Sequence, residues 1–158
     1  MVVFLTYRAA PRVRFGSNRI SLELSPHAVI SYSNLINYQG VGASIRVGSY
    51  LSQDYGSKIF SPLSSSNNTI THYEGFSWHV FLGAERRHVD RNYLLEGTTS
   101  ISNIQTVTKE DYVTDAHVGF VLSHPSFSIG LTLTERSKEF LTQKDKQKFI
   151  RFGISFLL

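Results

Sequence analysis

Strict alternation of apolar with small or polar residues, repeated along most of the chain, is the feature that most limits its fold. Successive side chains of a β-strand point to opposite faces, so a period of two marks a strand with two different surroundings. Across Gly40–Gly48, Val41, Ala43, Ile45 and Val47 share one face, and Gly40, Gly42, Ser44, Arg46 and Gly48 share the other. In Gly75–Glu85, Phe76, Trp78, Val80, Leu82 and Ala84 oppose Gly75, Ser77, His79, Phe81, Gly83 and Glu85. Tyr112, Ala116, Val118, Phe120 and Leu122 oppose Asp115, His117, Gly119 and Ser123. Phe127–Thr134 and Ile150–Leu158 continue the pattern, the latter with Ile150, Phe152, Ile154, Phe156 and Leu158 against Arg151, Gly153 and Ser155. Val2–Phe15 and Arg19–Asn34 are less regular strands separated by the turn residues Gly16-Ser17-Asn18. That makes about seven strands, each near the ~10 residues with which a tilted strand crosses a bilayer.

The connections are uneven. His124-Pro125-Ser126 is a tight turn, whereas Ser52–Thr71 and His88–Asp111 read as long polar loops. No stretch carries a useful helical period, there is no internal repeat, and the expectation is one all-β domain over residues 1–158.

The composition of the second face separates two kinds of β protein. In a soluble sandwich the face opposite the core meets water and is rich in Lys, Glu and Asp. Here it is mostly Gly, Ser, Thr and His, which suits the crowded, hydrated interior of a transmembrane barrel whose apolar side meets lipid. Phe76, Trp78 and Tyr112 are placed for interfacial aromatic belts. The longest aliphatic or aromatic run, Val2–Leu5, is far short of the ~18 residues of a membrane-spanning helix. The formal charge of +4 is modest and scattered, with no basic cluster interleaved with aromatics, so nucleic acid is not expected as a partner. With no cysteine, disulfide scaffolds, Cys-ligated zinc and thiol nucleophiles are excluded. Met1–Arg8 is not a secretory signal, and a leader is expected upstream of this chain.

Arg151-Phe152-Gly153-Ile154-Ser155-Phe156-Leu157-Leu158 resembles the C-terminal assembly signal of bacterial outer-membrane barrels, although Leu158 stands where an aromatic residue is usual. From Leu24 onward the chain resembles the outer-membrane lipid A deacylase family, enzymes that remove a 3′-linked acyl chain from lipid A. The matching segments, in order, are Leu24-Ser25-Pro26-His27, the strand Gly40–Gly48, Leu51-Ser52-Gln53-Asp54-Tyr55-Gly56, and Gly83-Ala84-Glu85. Val89–Gly97 and Thr134–Phe140 with Gln143 complete the set.

The resemblance implies an antiparallel outer-membrane β-barrel of about twelve strands, of which this chain supplies about seven C-terminal ones. It implies location in the bacterial outer membrane and ester hydrolysis on lipid A. It also implies Ca²⁺ as cofactor, with the calcium ligands and catalytic residues in an N-terminal half that this chain lacks. The isolated chain is therefore expected to be inactive. Implied partners are outer-membrane lipids, lipopolysaccharide and the barrel assembly machinery, the last through the C-terminal strand. Two other readings stay open: a small non-catalytic outer-membrane barrel with a structural or adhesive role, and a soluble lipid-binding β-barrel.

No catalytic residue and no metal ligand is assigned within the chain. His79 and His117 are expected on the interior face as hydrated structural imidazoles, and His72 and His124 at a loop and a turn. His27 receives no catalytic role. His88 and Asp90, two apart, fall on the same side of a strand, but no serine can be placed beside them. Asp90, Asn92 and Glu96 offer oxygen ligands without the spacing of a calcium loop. The candidate site is basic: with Leu158 in the periplasm, Arg86, Arg87, Arg91, Arg136, Lys138, Lys144, Lys146 and Lys148 gather near the outer rim. Among them Arg86, Arg91, Arg136 and Lys138 are the predicted contacts for lipid A phosphate. The same strand count puts Ser52–Thr71 in the periplasm, where short turns are usual.

Overall fold

The computed structural model describes residues 4–51, 75–96 and 107–156. One antiparallel sheet contains β1 (Phe4–Ala9), β2 (Val13–Gly16), β3 (Ser21–Ser33), β4 (Ile36–Gly48), β5 (Ser77–Asn92), β6 (Tyr112–His124), β7 (Phe127–Arg136) and β8 (Gln147–Phe156). A single helical turn, α1 (Tyr93–Glu96), follows β5. The strands pair in sequence order, but β1 and β2 both lie on the same edge of β3. Phe4–Ala9 pairs with Ala28–Ser33 and Val13–Gly16 with Ser21–Leu24. They are one strand interrupted at Ala10-Pro11-Arg12, where proline has no N–H to give the ladder. The sheet thus has seven rows, as the alternation predicts. Among the described strands, β1/β2 and β8 form the two edges and do not pair with each other.

The upper rim of the sheet carries Ser33–Ile36, Asn92, Tyr112, Arg136 and Gln147; the lower rim carries Gly16–Ser21, Gly48, Ser77, the Pro125-Ser126 turn and the end of β8. The connection between β4 and β5 joins at the lower rim, the rim where β8 ends, in agreement with the strand count. Its predicted loop Ser52–Thr71 lies outside the described residues.

Burial runs opposite to that of a water-soluble sheet. On β3, the small, polar and charged side chains Ser21, Glu23, Ser25, His27 and Ser31 are buried, whereas Leu22, Leu24, Ile30 and Tyr32 are exposed. On β5, Leu82 is 57% exposed while Glu85, three residues on, is 1% exposed. Water would penalise this arrangement, since burying charge costs free energy and exposing apolar area gains none. Hydrocarbon reverses the balance on the convex side. From Leu22 to Tyr32 the exposed row spans roughly 34 Å along the strand, or about 25 Å across the sheet at a tilt of ~40°, the height of a barrel's lipid band. Phe76, Trp78 and Phe156 are exposed at its lower edge and Tyr32 and Tyr112 at its upper edge, matching the expected aromatic belts.

Two boundaries differ from the sequence reading. β5 continues through Arg86–Asn92, which the sequence reading places partly in a loop, and β4 begins at Ile36 rather than Gly40. Near the upper rim the convex face of β5 turns polar with Arg86, His88 and Asp90 and the concave face keeps only Val89 apolar, so hydrophobic alternation fades although the strand does not.

Candidate functional site

Antiparallel register sets the concave face in rows that cross the strands. One row is Arg14, Glu23 and Arg46 on β2, β3 and β4. Glu23 accepts from Arg46 Nη2 at 2.7 Å and Nε at 3.0 Å, and from Arg14 Nη2 at 2.8 Å. A second row runs His27, Gly42, Glu85, Asp115 and Arg136 across β3 to β7. Here Glu85 and Asp115 stand directly opposite each other and are both buried, a pairing that repels unless cations are supplied.

Three arginines supply them. Arg8 Nη2 donates to Glu85 Oε2 at 2.9 Å. Arg87 Nη2 donates to Asp115 Oδ2 at 2.7 Å, and its Nε lies 3.9 Å from Glu85 Oε1. Arg136 holds Asp115 through two bonds, Nε to Oδ1 at 2.7 Å and Nη2 to Oδ2 at 3.0 Å, and reaches Glu139 at 3.1 Å. The network balances: Arg8, Arg87 and Arg136 against Glu85, Asp115 and Glu139.

His27 joins it from two strands away. Its Nε2 lies 3.0 Å from Glu85 Oε2, a reach across β4 that requires the intervening residue to have no side chain. A Cβ on Gly42 would come within 2.6 Å of the His27 ring. Gly83 serves His117 in the same way, with the ring Nε2 2.6 Å from where a Cβ would stand. Gly42, Gly83 and Gly119 thus seat the rings of His27, His117 and Phe81 from neighbouring strands.

Above this polar layer Val29, Tyr38, Val89 and Val113 form a small apolar cluster with Ile36 against it. A cavity of about 30 Å³ at this level, lined in part by Tyr38, Arg87, Val89 and Glu139, has room for one or two waters and none for an acyl chain. Charge-balanced and largely buried, the concave network acts as an interior brace that ties β1 to β7.

The structure divides the predicted basic contacts. Arg136 faces inward and spends its guanidinium on Asp115 and Glu139. Arg86 is on the convex face, 4.6 Å from the Tyr112 ring centroid. Arg91 is next to the last residue of β5 at the upper rim, bonded to Tyr93 Oη at 2.8 Å, and Lys138 is exposed beyond β7. All four lie toward one rim, yet they do not converge on one pocket. Lys146 and Lys148 both pair with Glu135, at 2.8 and 3.3 Å.

Of the other candidates, His79 and His117 are buried on the concave face as expected, and His124 lies at the lower turn. His72 lies outside the described residues. His88 and Asp90 do share a face, with Nδ1 to Oδ1 at 3.0 Å, but the neighbours across the strands are Gln39 and Tyr112 rather than a serine. Asp90 is committed to that pair, and the Glu96 side chain lies outside the described residues. Among the described residues no three His or acidic groups gather for a metal ion. Sequence reasoning missed the partnership of His27 with Glu85. Its one signal was the charged residues Arg46 and Glu85 alternating with glycines on an otherwise small, polar face.

Comparison with known proteins follows this architecture. The family described as "Outer membrane protein LpxR" matches residues 1–158. Among solved structures, LpxR from Salmonella typhimurium superposes with a TM-score of 0.86 at 26% identity, over 99% of this chain and 52% of that one. The chain therefore spans about half the length of that relative. No curated protein sequence matches it. A seven-row sheet with a braced polar interior and an apolar exterior is in keeping with both results, and the chain belongs to the LpxR family of outer membrane proteins.

Proposed function

We propose that this chain forms the C-terminal wall of an outer-membrane lipid A 3′-O-deacylase, an ester hydrolase of Gram-negative bacteria. The observation that carries the reading is the inversion of burial, an apolar convex face over a charged concave one, in a chain of this family. β1/β2 and β8 run in the same direction, so closing the sheet in a fully antiparallel way takes an odd number of further strands. About five more give the twelve implied by the family resemblance. Those strands supply the base and oxyanion stabiliser that ester hydrolysis needs. The family resemblance assigns the calcium ligands to those strands as well. Arg91 and Lys138, at the upper rim, are the members of the predicted set assigned to the substrate's phosphates, while Arg86 lies on the convex, lipid-facing side. The C-terminal strand is the segment offered to the assembly machinery.

The test is to purify and refold residues 1–158 and incubate them with lipid A. The chain alone is expected to release no acyl group, and measurable release would refute the claim of inactivity. Partition into detergent, with slowed gel migration on heating, is expected for a membrane barrel wall; an aqueous monomer would support a soluble lipid binder instead.

A further inference from the structure

We propose that Arg86 and Tyr112 anchor a phosphate-bearing lipid on the outer wall, held as a structural lipid rather than as substrate. The proposal rests on the reading that the upper rim meets the leaflet containing lipopolysaccharide, but it does not depend on catalysis. Arg8, Arg14, Arg46, Arg87 and Arg136 on the concave face each have a carboxylate within 2.9 Å. Arg86 is adjacent to Arg87 in sequence and on the opposite face, and no carboxylate partners it among the described residues. Its guanidinium rests 4.6 Å from the Tyr112 ring centroid instead. Stacking on a ring holds the planar fork while leaving in-plane N–H groups to meet a bidentate oxyanion.

Depth selects the ligand. Immediately below Arg86 the convex face has the row Ala43, Ala84 and Ala116, and below that Ile45, Leu82 and Val118, all exposed. A cation at the upper edge of such a band is costly without a counter-ion. The phosphate of a neighbouring lipid sits at that depth, while its acyl chains cover the short alanine side chains. Charge distribution agrees: Arg86, His88, Asp90, Glu135 and Lys148 occupy convex positions near the upper rim, whereas Leu22, Val47, Trp78 and Phe156 occupy those near the lower one.

The experiment offers residues 1–158, refolded in a zwitterionic detergent, either phosphorylated lipid A or the same lipid with its phosphates removed. Retained lipid is counted by native mass spectrometry after gel filtration. Wild type is expected to prefer the phosphorylated lipid by about tenfold, the worth of one charge-assisted contact, with the preference lost in R86Q and kept in R19Q, which removes an exposed charge at the opposite rim. Heat-dependent gel migration checks that each variant is folded, and Y112L is a second route to the same loss. Equal retention of the two lipids by wild type, or an undiminished preference in folded R86Q and Y112L, would overturn the proposal. Acyl release is not read, so failure of the deacylase assignment leaves this result standing, and the reverse also holds.

Discussion

The two faces of the same strands obey opposite rules. On the concave side every hydrogen-bonding group is expensive to bury, and the chain answers with arginine–carboxylate contacts that cross from β1 to β7. On the convex side Leu, Val, Ile and Phe stand exposed with few specific contacts. The concave face is therefore specific and intolerant, because its carboxylates are held by particular arginines at fixed distances. The convex face is generic, because any apolar side chain satisfies hydrocarbon. A buried ion pair is weak evidence of net stabilisation, but breaking one leaves a charge without compensation. The brace thus has more to do with fixing strand order and curvature than with adding stability.

Substitutions along β5 and its neighbours can break this comparison. The largest effect is expected for Glu85→Gln, which leaves Arg8 and Arg87 facing a neutral amide in the interior. Unfolding in urea from a bilayer should show a loss of about 3–5 kcal/mol; a loss under ~1 kcal/mol would mean the interior is wetter than its burial implies. Leu82→Arg comes next, at about 2–4 kcal/mol in the bilayer. The same variant would be harmless if water covered the convex face, so its cost sharpens the contrast most directly. Gly42→Leu should cost about 1–3 kcal/mol by pressing on the Ala84 carbonyl and displacing the His27 ring from its seat. Its His27 NMR signal should move with the loss of the Glu85 contact, and an unchanged signal would count against the seat.

The smallest effect belongs to the rim outside the strands. Asp111 accepts a hydrogen bond from Lys109 Nζ at 2.7 Å, which holds its carboxyl below the usual value. Because the folded value is the lower one, the stabilisation is present above the unfolded value and fades as pH falls through the folded one. The pair is solvent-exposed on the carboxylate side, so Asp111→Asn should leave the melting temperature unchanged within error at neutral pH. A clear shift would show that the rim is ordered by charge after all.

Much of this architecture is legible before any coordinates. Alternation places Val41, Ile45, Leu82 and Val118 on one face and Arg46, Glu85 and His117 on the other, and the structure keeps each on its side. The extension of β5 to Asn92 escaped because Arg86 to Asn92 lies where the lipid band ends. There the convex face no longer needs to be apolar, and with only Val89 apolar on the concave face the periodic signal fades with the hydrocarbon. The four predicted phosphate contacts were grouped by charge and chain position, which do not reveal that Arg86 faces out while Arg136 faces in toward Asp115. Parity along a strand could have separated Arg86 from Arg87. Nothing local could have identified the partner of either.

What the amino-acid order determines on its own is the period: two faces, strands long enough for a bilayer, and glycines in place of side chains on one of them. That follows from short-range geometry, because a strand turns its side chains over at every residue. The partnerships of His27 with Glu85, of Arg8 with Glu85 and of Arg87 with Asp115 were decided only when register aligned strands distant in sequence. Register is a collective property of the sheet. A shift of one residue would reverse every face, and the paired charges hold the alignment that avoids it.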